Sequence, residues 1–223
     1  MGYKISIDGP SGAGKGSVAK GLSERLDILN IDTGAMYRTL ALYCIENGIN
    51  VDNEQNVISI LKDVDIYLKN EDSMVKAFLN DIDVSHKIRT EQVGLVAAKV
   101  SSILDVREYM REKQRVMAGA QNVVAEGRDI GSVVFPDADL KIFLTATVET
   151  RAERRYKDML EKNKDTKYDE VLEYIKQRDE LDKTRKISPL IKTEDMVEID
   201  NTNMTKEQVV ERVLELIKEK GLV

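Results

Sequence analysis

The sequence predicts an α/β protein with a doubly wound parallel sheet of about five strands and helices on both faces. Short apolar segments alternate along the chain with amphipathic stretches, which is the pattern of parallel strands joined by crossover helices. A glycine-rich turn joins the first apolar segment to the first amphipathic stretch, as is typical of such sheets. The chain has 223 residues, of which 42% are hydrophobic, so it can bury a core without disulfides.

Five segments are predicted to be the strands, because each is short, apolar and bounded by polar or glycine residues. They are residues 3–8, 28–32, 123–127, 140–146 and 196–200. The helical period predicts helices at 15–26, 34–47, 89–104, 105–118, 149–163, 168–183 and 205–220. Ligands of doubly wound sheets bind outside the carboxyl ends of the strands, and we expect the functional site there.

Residues 64–86 interrupt this alternation of strands and helices. Their sequence, VDIYLKNEDSMVKAFLNDIDVSH, carries short alternating segments separated by polar turns, which predicts a small antiparallel insertion between core elements.

The last helix has start and stop signals at both of its ends. Asn203 to Thr205 form a glycosylation sequence, but Thr205 and Gln208 also have the spacing of a capping box, with Met204 and Val209 spaced as a hydrophobic staple. A helix start is the better interpretation. Gly221 is predicted to end the helix.

Composition excludes several classes of function. The single cysteine, Cys44, and the single histidine, His86, leave neither an internal disulfide nor a zinc site, and we interpret Cys44 as a structural thiol. No apolar run approaches the ~18 residues of a membrane span, so we expect a cytoplasmic protein without a membrane partner. The formal net charge of −6 argues against a nucleic-acid partner, because such binding rests on clustered lysine and arginine.

The glycine-rich turn, GPSGAGKGS, occupies residues 9–17. A Walker A loop reads G-x-x-x-x-G-K-[ST], with the hydroxyl residue directly after the lysine. Lys15 fits the pattern, but Gly16 takes the hydroxyl position and Ser17 comes one residue late. A shift by one residue rotates the hydroxyl by about 100° around the helix. Ser17 is therefore expected to face the phosphates, or a water molecule bound to magnesium.

Strand, glycine turn and helix occur here in the order that a phosphate-binding loop requires. We therefore predict a phosphate-binding loop, with magnesium as cofactor and Ser17 as a metal contact through water. The loop residues predicted to bind phosphates are Gly9, Pro10, Ser11, Gly12, Ala13, Gly14, Lys15, Gly16 and Ser17. The alternative is a plain tight turn.

The G-K-G-[ST] variant of the loop resembles that of nucleoside monophosphate kinases. Five stretches narrow the resemblance: IDGPSGAGKGS at 7–17, DTGAMYR at 32–38, EGRDIGSVVFPDADLKIFLTA at 126–146, RAERR at 151–155 and RDELDKTRKISPL at 178–190. Together they are similar to the bacterial cytidylate kinase family over nearly the whole chain. The resemblance implies that ATP binds at the loop of residues 9–17 and that its γ-phosphoryl group is transferred to CMP or dCMP. We expect a monomer whose partners are small nucleotides.

The resemblance also implies a division of the chain into a core, an insertion that binds the monophosphate, and a helical lid. The predicted boundaries are 1–62, 89–148 and 188–223 for the core, 63–88 for the insertion and 149–187 for the lid region.

Phosphoryl transfer between two anionic nucleotides needs positive charge from several segments at once. The resemblance implies that Arg38, Arg128 and Arg185 bind the acceptor phosphate and act with Lys15 in catalysis. Another interpretation of each arginine is a surface charge or an ion pair that stabilises the fold.

Three further arginines follow the fourth core strand. Arg151, Arg154 and Arg155 are spaced i, i+3 and i+4 and share one face of a helix. The resemblance implies that they contact ATP phosphates when the lid closes. A solvated helix face is the alternative. Arg111 and Arg115 have no motif support and are interpreted as exposed helix charges.

The nucleoside contacts come from the same resemblance. Arg178, Asp182 and Thr33 are expected at the sugar, although Arg178 and Asp182 also have the spacing of a helix-stabilising ion pair. Cytosine offers an amino donor beside two acceptors, so its recognition needs a carboxylate and a cation. Asp129 and Arg107 match the family positions for these two groups.

One position departs from the family pattern. A serine or threonine usually stands where this chain has Ala98, and its hydroxyl is expected at the base. Ser101 and Ser102 follow one helical turn later and are candidates to replace it.

Other functions are compatible with the same motifs. A kinase of UMP, AMP or a non-nucleotide alcohol would use the same loop. A GTPase would need an N-K-x-D motif after a strand, and only NKDT at 163–166 comes near. A nucleic-acid-dependent ATPase is disfavoured by the acidic balance of the chain.

Overall fold

The structure is a computed structural model and describes residues 2–71, 74–161 and 166–223. Within these ranges the strands are β1 (Lys4–Asp8), β2 (Leu29–Asp32), β3 (Ile66–Glu71), β4 (Met74–Leu79), β5 (Ile82–Asp83), β6 (Val123–Gly127), β7 (Leu140–Thr145) and β8 (Val197–Asp200). The α-helices are α1 (Lys15–Leu26), α2 (Thr33–Glu46), α3 (Glu54–Ile60), α4 (Glu91–Val100), α5 (Leu104–Ala118), α6 (Val148–Glu161), α7 (Tyr168–Thr184) and α8 (Lys206–Glu219).

The central sheet has five parallel strands in the order β2-β6-β1-β7-β8. Alternate side chains of a strand point to opposite faces. Val124 accordingly packs with α1 and α8 in one hydrophobic layer, whereas Val123 and Ala125 pack in a second layer with α2 and α5. Helices thus cover both faces, and the predicted doubly wound α/β fold is confirmed.

The predicted antiparallel insertion is a second sheet in the order β3-β4-β5. Ile66 and Leu79 are paired across β3 and β4 and are buried in the layer that also contains α2. On the other face of the same pair, the rings of Tyr67 and Phe78 stack with centroids 5.0 Å apart. The insertion is therefore held to the core by one apolar face.

Helix α8 has the two caps that the sequence predicts. Thr205 Oγ1 accepts a hydrogen bond from the backbone N–H of Gln208, and the Gln208 side chain accepts one from the Thr205 N–H. At the other end Gly221 has φ +65. The Leu222 N–H donates to Ile217 O and the Gly221 N–H donates to Lys218 O, which is the Schellman pattern.

Three local features differ from the sequence prediction. Helix α3 was not predicted, because it has only seven residues and buries one side chain, Val57, so it shows no clear helical period. The first of the two helices predicted at 89–104 and 105–118 is shorter than expected, because it ends at Val100 and residues 101–103 lie between the two helices. Residues 130–134 form a short π-type helical turn after β6.

Two composition-based interpretations can be compared with the structure. Cys44 is fully buried, and burial raises the pKa of its thiol to about 11, in agreement with a structural role. In the part of the chain that the structure describes, no helix combines the length and apolar character that crossing a membrane requires.

Candidate active site at the carboxyl end of the sheet

The glycine-rich loop connects β1 to α1 and needs glycine at specific positions. Gly9 and Gly12 have φ of +153 and +78, values that side chains disfavour. A Cβ on Gly9 would lie 2.0 Å from Leu144 O. Gly14, with φ +89, is the N-cap of α1 and supplies no side-chain cap. The first N–H groups of α1 therefore remain available to an anion.

Lys15 is the charged side chain of this loop. It is buried, with 5% of its surface exposed, and its Nζ donates a hydrogen bond to Pro10 O at 2.9 Å. Burial lowers the pKa of Lys15, and the charge of Arg128 lowers it further. Positive charge is costly at this position unless an anion binds beside it.

Arg151 lies on α6 and hydrogen-bonds to the glycine-rich loop. Its Nη1 donates to Ser11 O at 2.9 Å and its Nε donates to Ala146 O, while its Nη2 lies 2.7 Å from Asp179 Oδ2 on α7. Arg151 is 5% exposed. It therefore joins the loop, α6 and α7 through a buried ion pair.

The two neighbouring arginines have different partners. Arg154 Nη1 donates to Asn201 Oδ1 at 2.8 Å, and Asn201 Nδ2 donates to Ala13 O of the loop. The guanidinium of Arg155 lies 4.7 Å from the ring centroid of Tyr174. All three arginines of this helix face are thus in contact with protein groups.

A second cluster of arginines surrounds two carboxylates. Asp129 Oδ2 lies 2.5 Å from Arg107 Nη2, and Asp129 Oδ1 lies 4.0 Å from Arg185 Nη2. Asp182 Oδ2 accepts a hydrogen bond from Arg128 Nε at 2.7 Å and lies 3.6 Å from Arg178 Nε. Four arginines thus surround two buried carboxylates, which leaves a surplus of positive charge.

The predicted sugar and phosphate residues lie next to this cluster. Thr33 Oγ1 donates to Glu126 O at 2.7 Å. Arg38 is half-buried and forms no hydrogen bond or ion pair within the described residues. Burial raises the pKa of Asp182, but Arg128 and Arg178 more than offset this and hold that pKa below its usual value.

The part of the site around Arg107 and Asp129 is lined by aromatic and polar groups. The ring centroid of Tyr37 lies 5.6 Å from the guanidinium carbon of Arg107, and burial raises the pKa of Tyr37 to about 12. A small cavity of about 10 Å³ opens between them. Its lining residues are Tyr37, Arg107, Arg111, Gln114, Asp129, Val133, Val134 and Ser188.

The two serines considered as replacements for a hydroxyl at Ala98 are already hydrogen-bonded. Ser101 Oγ donates to Ala98 O at 2.8 Å, and Ser102 Oγ donates to Lys99 O at 2.7 Å. The backbone of Ser101 has a different role, since its carbonyl accepts from Arg107 Nη1 at 3.0 Å. Ser101 therefore orients Arg107.

Arg115 is an exposed charge of helix α5, as the sequence predicts, and its guanidinium is hydrogen-bonded. Its Nε donates to Val134 O and its Nη2 donates to Val133 O, so it joins α5 to the 130–134 turn. Arg111 lies 3.8 Å from Glu108. Residues 163–165, which contain most of the NKDT stretch, lie outside the described residues.

Two carboxylates of the site were missed by sequence reasoning. Asp8 is fully buried and accepts hydrogen bonds from Ile130 N–H and Gly131 N–H at 2.8 and 2.7 Å. Glu126 lies beside the loop, and burial, with the charge of Asp32, raises its pKa. Each stands at or next to the carboxyl end of an apolar strand, which is the signal that could have revealed them.

The comparisons with known proteins agree with these features. Residues 5–219 match the family model described as cytidylate kinase. The chain is 46% identical over 218 residues to a cytidylate kinase of Carboxydothermus hydrogenoformans, with 98% of each chain covered. It is 47% identical over 215 residues to a cytidylate kinase of Caldanaerobacter subterraneus subsp. tengcongensis, covering 96% of this chain and 94% of the relative.

One solved structure extends the comparison to the fold. An uncharacterized protein from Eubacterium ventriosum aligns with a TM-score of 0.50 and 13% identity, covering 97% of this chain and 98% of that one. At this identity the similarity concerns the fold alone.

Proposed function

The chain belongs to the cytidylate kinase family, and on that premise we propose that it transfers the γ-phosphoryl group of ATP to CMP or dCMP. The products are ADP and the nucleoside diphosphate. One observation carries the proposal: the open N-terminus of α1 and the cluster of arginines around Asp129 and Asp182 lie at the same end of the sheet. Two anionic nucleotides can therefore meet there although the chain has a net charge of −6.

ATP binds at the loop of residues 9–17. The free N–H groups of α1 hold its phosphates, and Lys15 leaves Pro10 O to contact the outer phosphates. A positive charge there stabilises the charge that grows on the leaving group. Arg151 contributes by holding Ser11 in place. To reach ATP, Arg154 would have to break its hydrogen bond to Asn201, and Arg155 would have to leave the ring of Tyr174. Such a change of partners is what a moving lid requires.

The acceptor phosphate binds to Arg38, Arg128 and Arg185. Arg38 is the side chain of this set that forms no hydrogen bond or ion pair with the described residues, so it is available to a ligand. One guanidinium nitrogen of Arg185, Nη2, is buried without a hydrogen bond. An incoming phosphate oxygen would satisfy such donors in a charge-assisted way.

The nucleoside lies between the sugar-binding and base-binding groups. Arg178 and Asp182, with Thr33 opposite, contact the ribose. Asp129 accepts from the exocyclic amino group of cytosine, and Arg107 donates to its ring acceptors. UMP would place a carbonyl against Asp129, so the site favours cytosine.

The oxygen ligands near the loop suit magnesium, which prefers hard oxygen donors and keeps several waters. A Cβ on Gly16 would lie 3.4 Å from Glu126 Oε1, so a carboxylate oxygen stands beside the position where a Walker A loop has its hydroxyl. Glu126, its neighbour Asp32 and the exposed Ser17 would hold the ion together with the nucleotide phosphates. When bound, the ion neutralises phosphate charge.

The proposal is tested by measuring ADP formation with CMP, dCMP, UMP and AMP as acceptors. CMP or dCMP is expected to give the highest kcat/KM. A higher value with UMP or AMP would replace the proposal by the corresponding kinase, and ADP formation without any acceptor would indicate an ATPase.

A variant of the loop makes the same test specific to this site. Lys15→Ala is expected to lower kcat by about 10²–10³-fold, the range found when one charge-stabilising donor is removed. The matched control is Lys20→Ala on the same helix, since Lys20 is exposed and pairs with Glu24. Unchanged turnover of Lys15→Ala would contradict the role of the loop.

A further inference from the structure

Asp129 stands at the start of a helical turn and yet does not cap it. The turn of residues 130–134 begins directly after Asp129. Aspartate is among the preferred N-cap residues, because its side chain accepts from the first free N–H groups of its own helix. Here the side chain of Asp129 makes no cap hydrogen bond. Its oxygens face Arg107 and Arg185 instead.

A carboxylate from another strand takes the place of the missing cap. Asp8, the last residue of β1, directs Oδ1 to Ile130 N–H at 2.8 Å and Oδ2 to Gly131 N–H at 2.7 Å. Both oxygens are thus used, and the residue is fully buried. Asp8 satisfies the first two N–H groups of the turn, those of Ile130 and Gly131, so Asp129 is not needed as their acceptor.

The charges around Asp8 support this arrangement. Burial raises the pKa of Asp8 to about 6, the hydrogen bonds from Gly131 and Ile130 oppose that rise, and the charge of Asp129 adds to it. The two carboxylates therefore repel each other across the turn. Lys15 is the cation whose charge acts on Asp8, whereas Asp129 has Arg107 and Arg185.

We infer that Asp8 caps the turn in place of Asp129 and thereby frees the Asp129 carboxylate to select the base of the acceptor. Asp8 is a positioning residue, since it acts through Asp129 and the backbone of Ile130 and Gly131. It also directly precedes Gly9, so the same residue joins the ATP loop to the turn that reads the base. The inference rests on the proposed base recognition by Asp129.

Loss of Asp8 is expected to impair the selection of the base and to leave the ATP site unaffected. Without it, Ile130 N–H and Gly131 N–H lack an acceptor, and Asp129 is the nearest carboxylate in sequence that can accept from this turn. An Asp129 that turns toward its own helix no longer faces the amino group of cytosine. Discrimination between CMP and UMP is then lost, while the ATP site keeps its loop.

The experiment compares kcat/KM for CMP and UMP in Asp8→Asn, Asp8→Ala, Asp129→Asn and the double variant Asp8→Asn/Asp129→Asn. The ratio of CMP to UMP is expected to fall by about tenfold or more in Asp8→Asn, which corresponds to the loss of a hydrogen bond to a charged group. The KM for ATP is expected to change less than about threefold. The double variant is expected to have the ratio of Asp129→Asn alone.

The control is Ser6→Ala, because Ser6 lies on the same strand, is fully buried and has no hydrogen bond for its Oγ. Ser6→Ala is expected to keep the wild-type ratio of kcat/KM for CMP to kcat/KM for UMP. Asp8→Asn preserves the shape of the side chain and one acceptor, so it provides the test if Asp8→Ala does not fold.

Two results would overturn the inference. One is an unchanged CMP to UMP ratio in Asp8→Asn, with kcat lowered equally for both acceptors, as a purely structural role requires. The other is additivity of the two substitutions. In that case the CMP to UMP ratio of the double variant is lower than that of Asp129→Asn by the same factor by which Asp8→Asn lowers the wild-type ratio. Failure of the proposed function is a separate result, because the wild-type protein would then show no preference for CMP.

Discussion

At the scale of single residues, the site depends on charged groups held where water cannot reach them. Asp8, Lys15, Arg107, Asp129 and Asp182 are all at most 7% exposed. Burial disfavours the charged form of each group unless a partner compensates. Asp129 and Asp182 have arginine partners, whereas Lys15 has a carbonyl oxygen and Asp8 has two N–H groups. The charges of Lys15 and Asp8 are thus less well compensated, and the protonation of these two groups is expected to respond to pH or to a bound ligand.

The pH dependence of stability should reveal the ionisation of Asp8. Its pKa lies at about 6 rather than the ordinary 3.8, so the native protein binds this proton more tightly than the unfolded chain does. Its contribution to stability is therefore present below about pH 4 and is lost as the pH rises through about 6. A shift of this size corresponds to roughly 3 kcal/mol.

The measurement is the free energy of unfolding in urea for the wild type and Asp8→Asn at about pH 4 and about pH 7. The wild type is expected to lose stability relative to Asp8→Asn on going to the higher pH. A difference between the two proteins that does not vary with pH would show that Asp8 titrates near its ordinary value.

At the scale of elements, the N-terminus of α1 differs from those of the helices that a side chain caps. Side chains of Asp32, Asn53, Thr90 and Thr205 cap helices α2, α3, α4 and α8. Helix α1 begins instead at Gly14, without a side-chain cap and without an acidic residue in its first turn. Its unpaired N–H groups and positive dipole end attract an anion. The loop before it is shaped by glycines with positive φ.

Gly9→Ala tests how strictly the loop depends on glycine. A Cβ at this position would lie 2.0 Å from Leu144 O in a backbone conformation with φ +153, so the loop or β7 must move. We expect a loss of roughly 3 kcal/mol or more in the free energy of unfolding, together with weaker ATP binding.

Gly48→Ala is the matched control for this prediction. Gly48 also has positive φ, +64, but a Cβ there would meet nothing within 4 Å. The expected cost is only about 1–2 kcal/mol, with normal ATP binding. Equal effects of the two substitutions would mean that the close approach to Leu144 is unimportant.

At the scale of the whole molecule, buried ion pairs join parts of the chain that are distant in sequence. Arg151 and Asp179 connect α6 to α7, and Arg151 also holds Ser11 of the ATP loop. Asp182 of α7 accepts from Arg128, which follows β6. Helix α7 is thus tied at once to both of the nucleotide sites that we propose. Movement of this helix would change the ATP loop and the acceptor site together.

The Arg151–Asp179 pair can be measured by a double-mutant cycle. Arg151→Met leaves Asp179 buried without its cation, and the expected loss of stability is about 3–5 kcal/mol. The combined variant Arg151→Met/Asp179→Leu is expected to be more stable than Arg151→Met alone, since no unpaired charge remains. Additive losses in the double variant would show that the two residues do not interact.

The sequence by itself determined the fold class and the glycine loop between β1 and α1, because both depend on local order. The periods of apolar residues predict the five parallel strands, and the spacing of Gly9, Gly14 and Lys15 predicts the loop. The caps of α8 were predictable for the same reason, since Thr205 and Gln208 are three residues apart. Helix α3 was not, because seven residues with one buried side chain carry too little pattern.

Only the tertiary structure decided how the charged residues are paired. Asp8 and Ile130 are 122 residues apart in sequence, and Arg151 lies 140 residues from Ser11, so no local pattern indicates either contact. The motifs named Arg128 and Asp129 as candidates but could not show that Asp8 supplies the cap that Asp129 would otherwise provide. The physical reason is that a buried charge is stabilised by whichever groups the fold brings within hydrogen-bond distance, and the strand order of the sheet determines which groups those are.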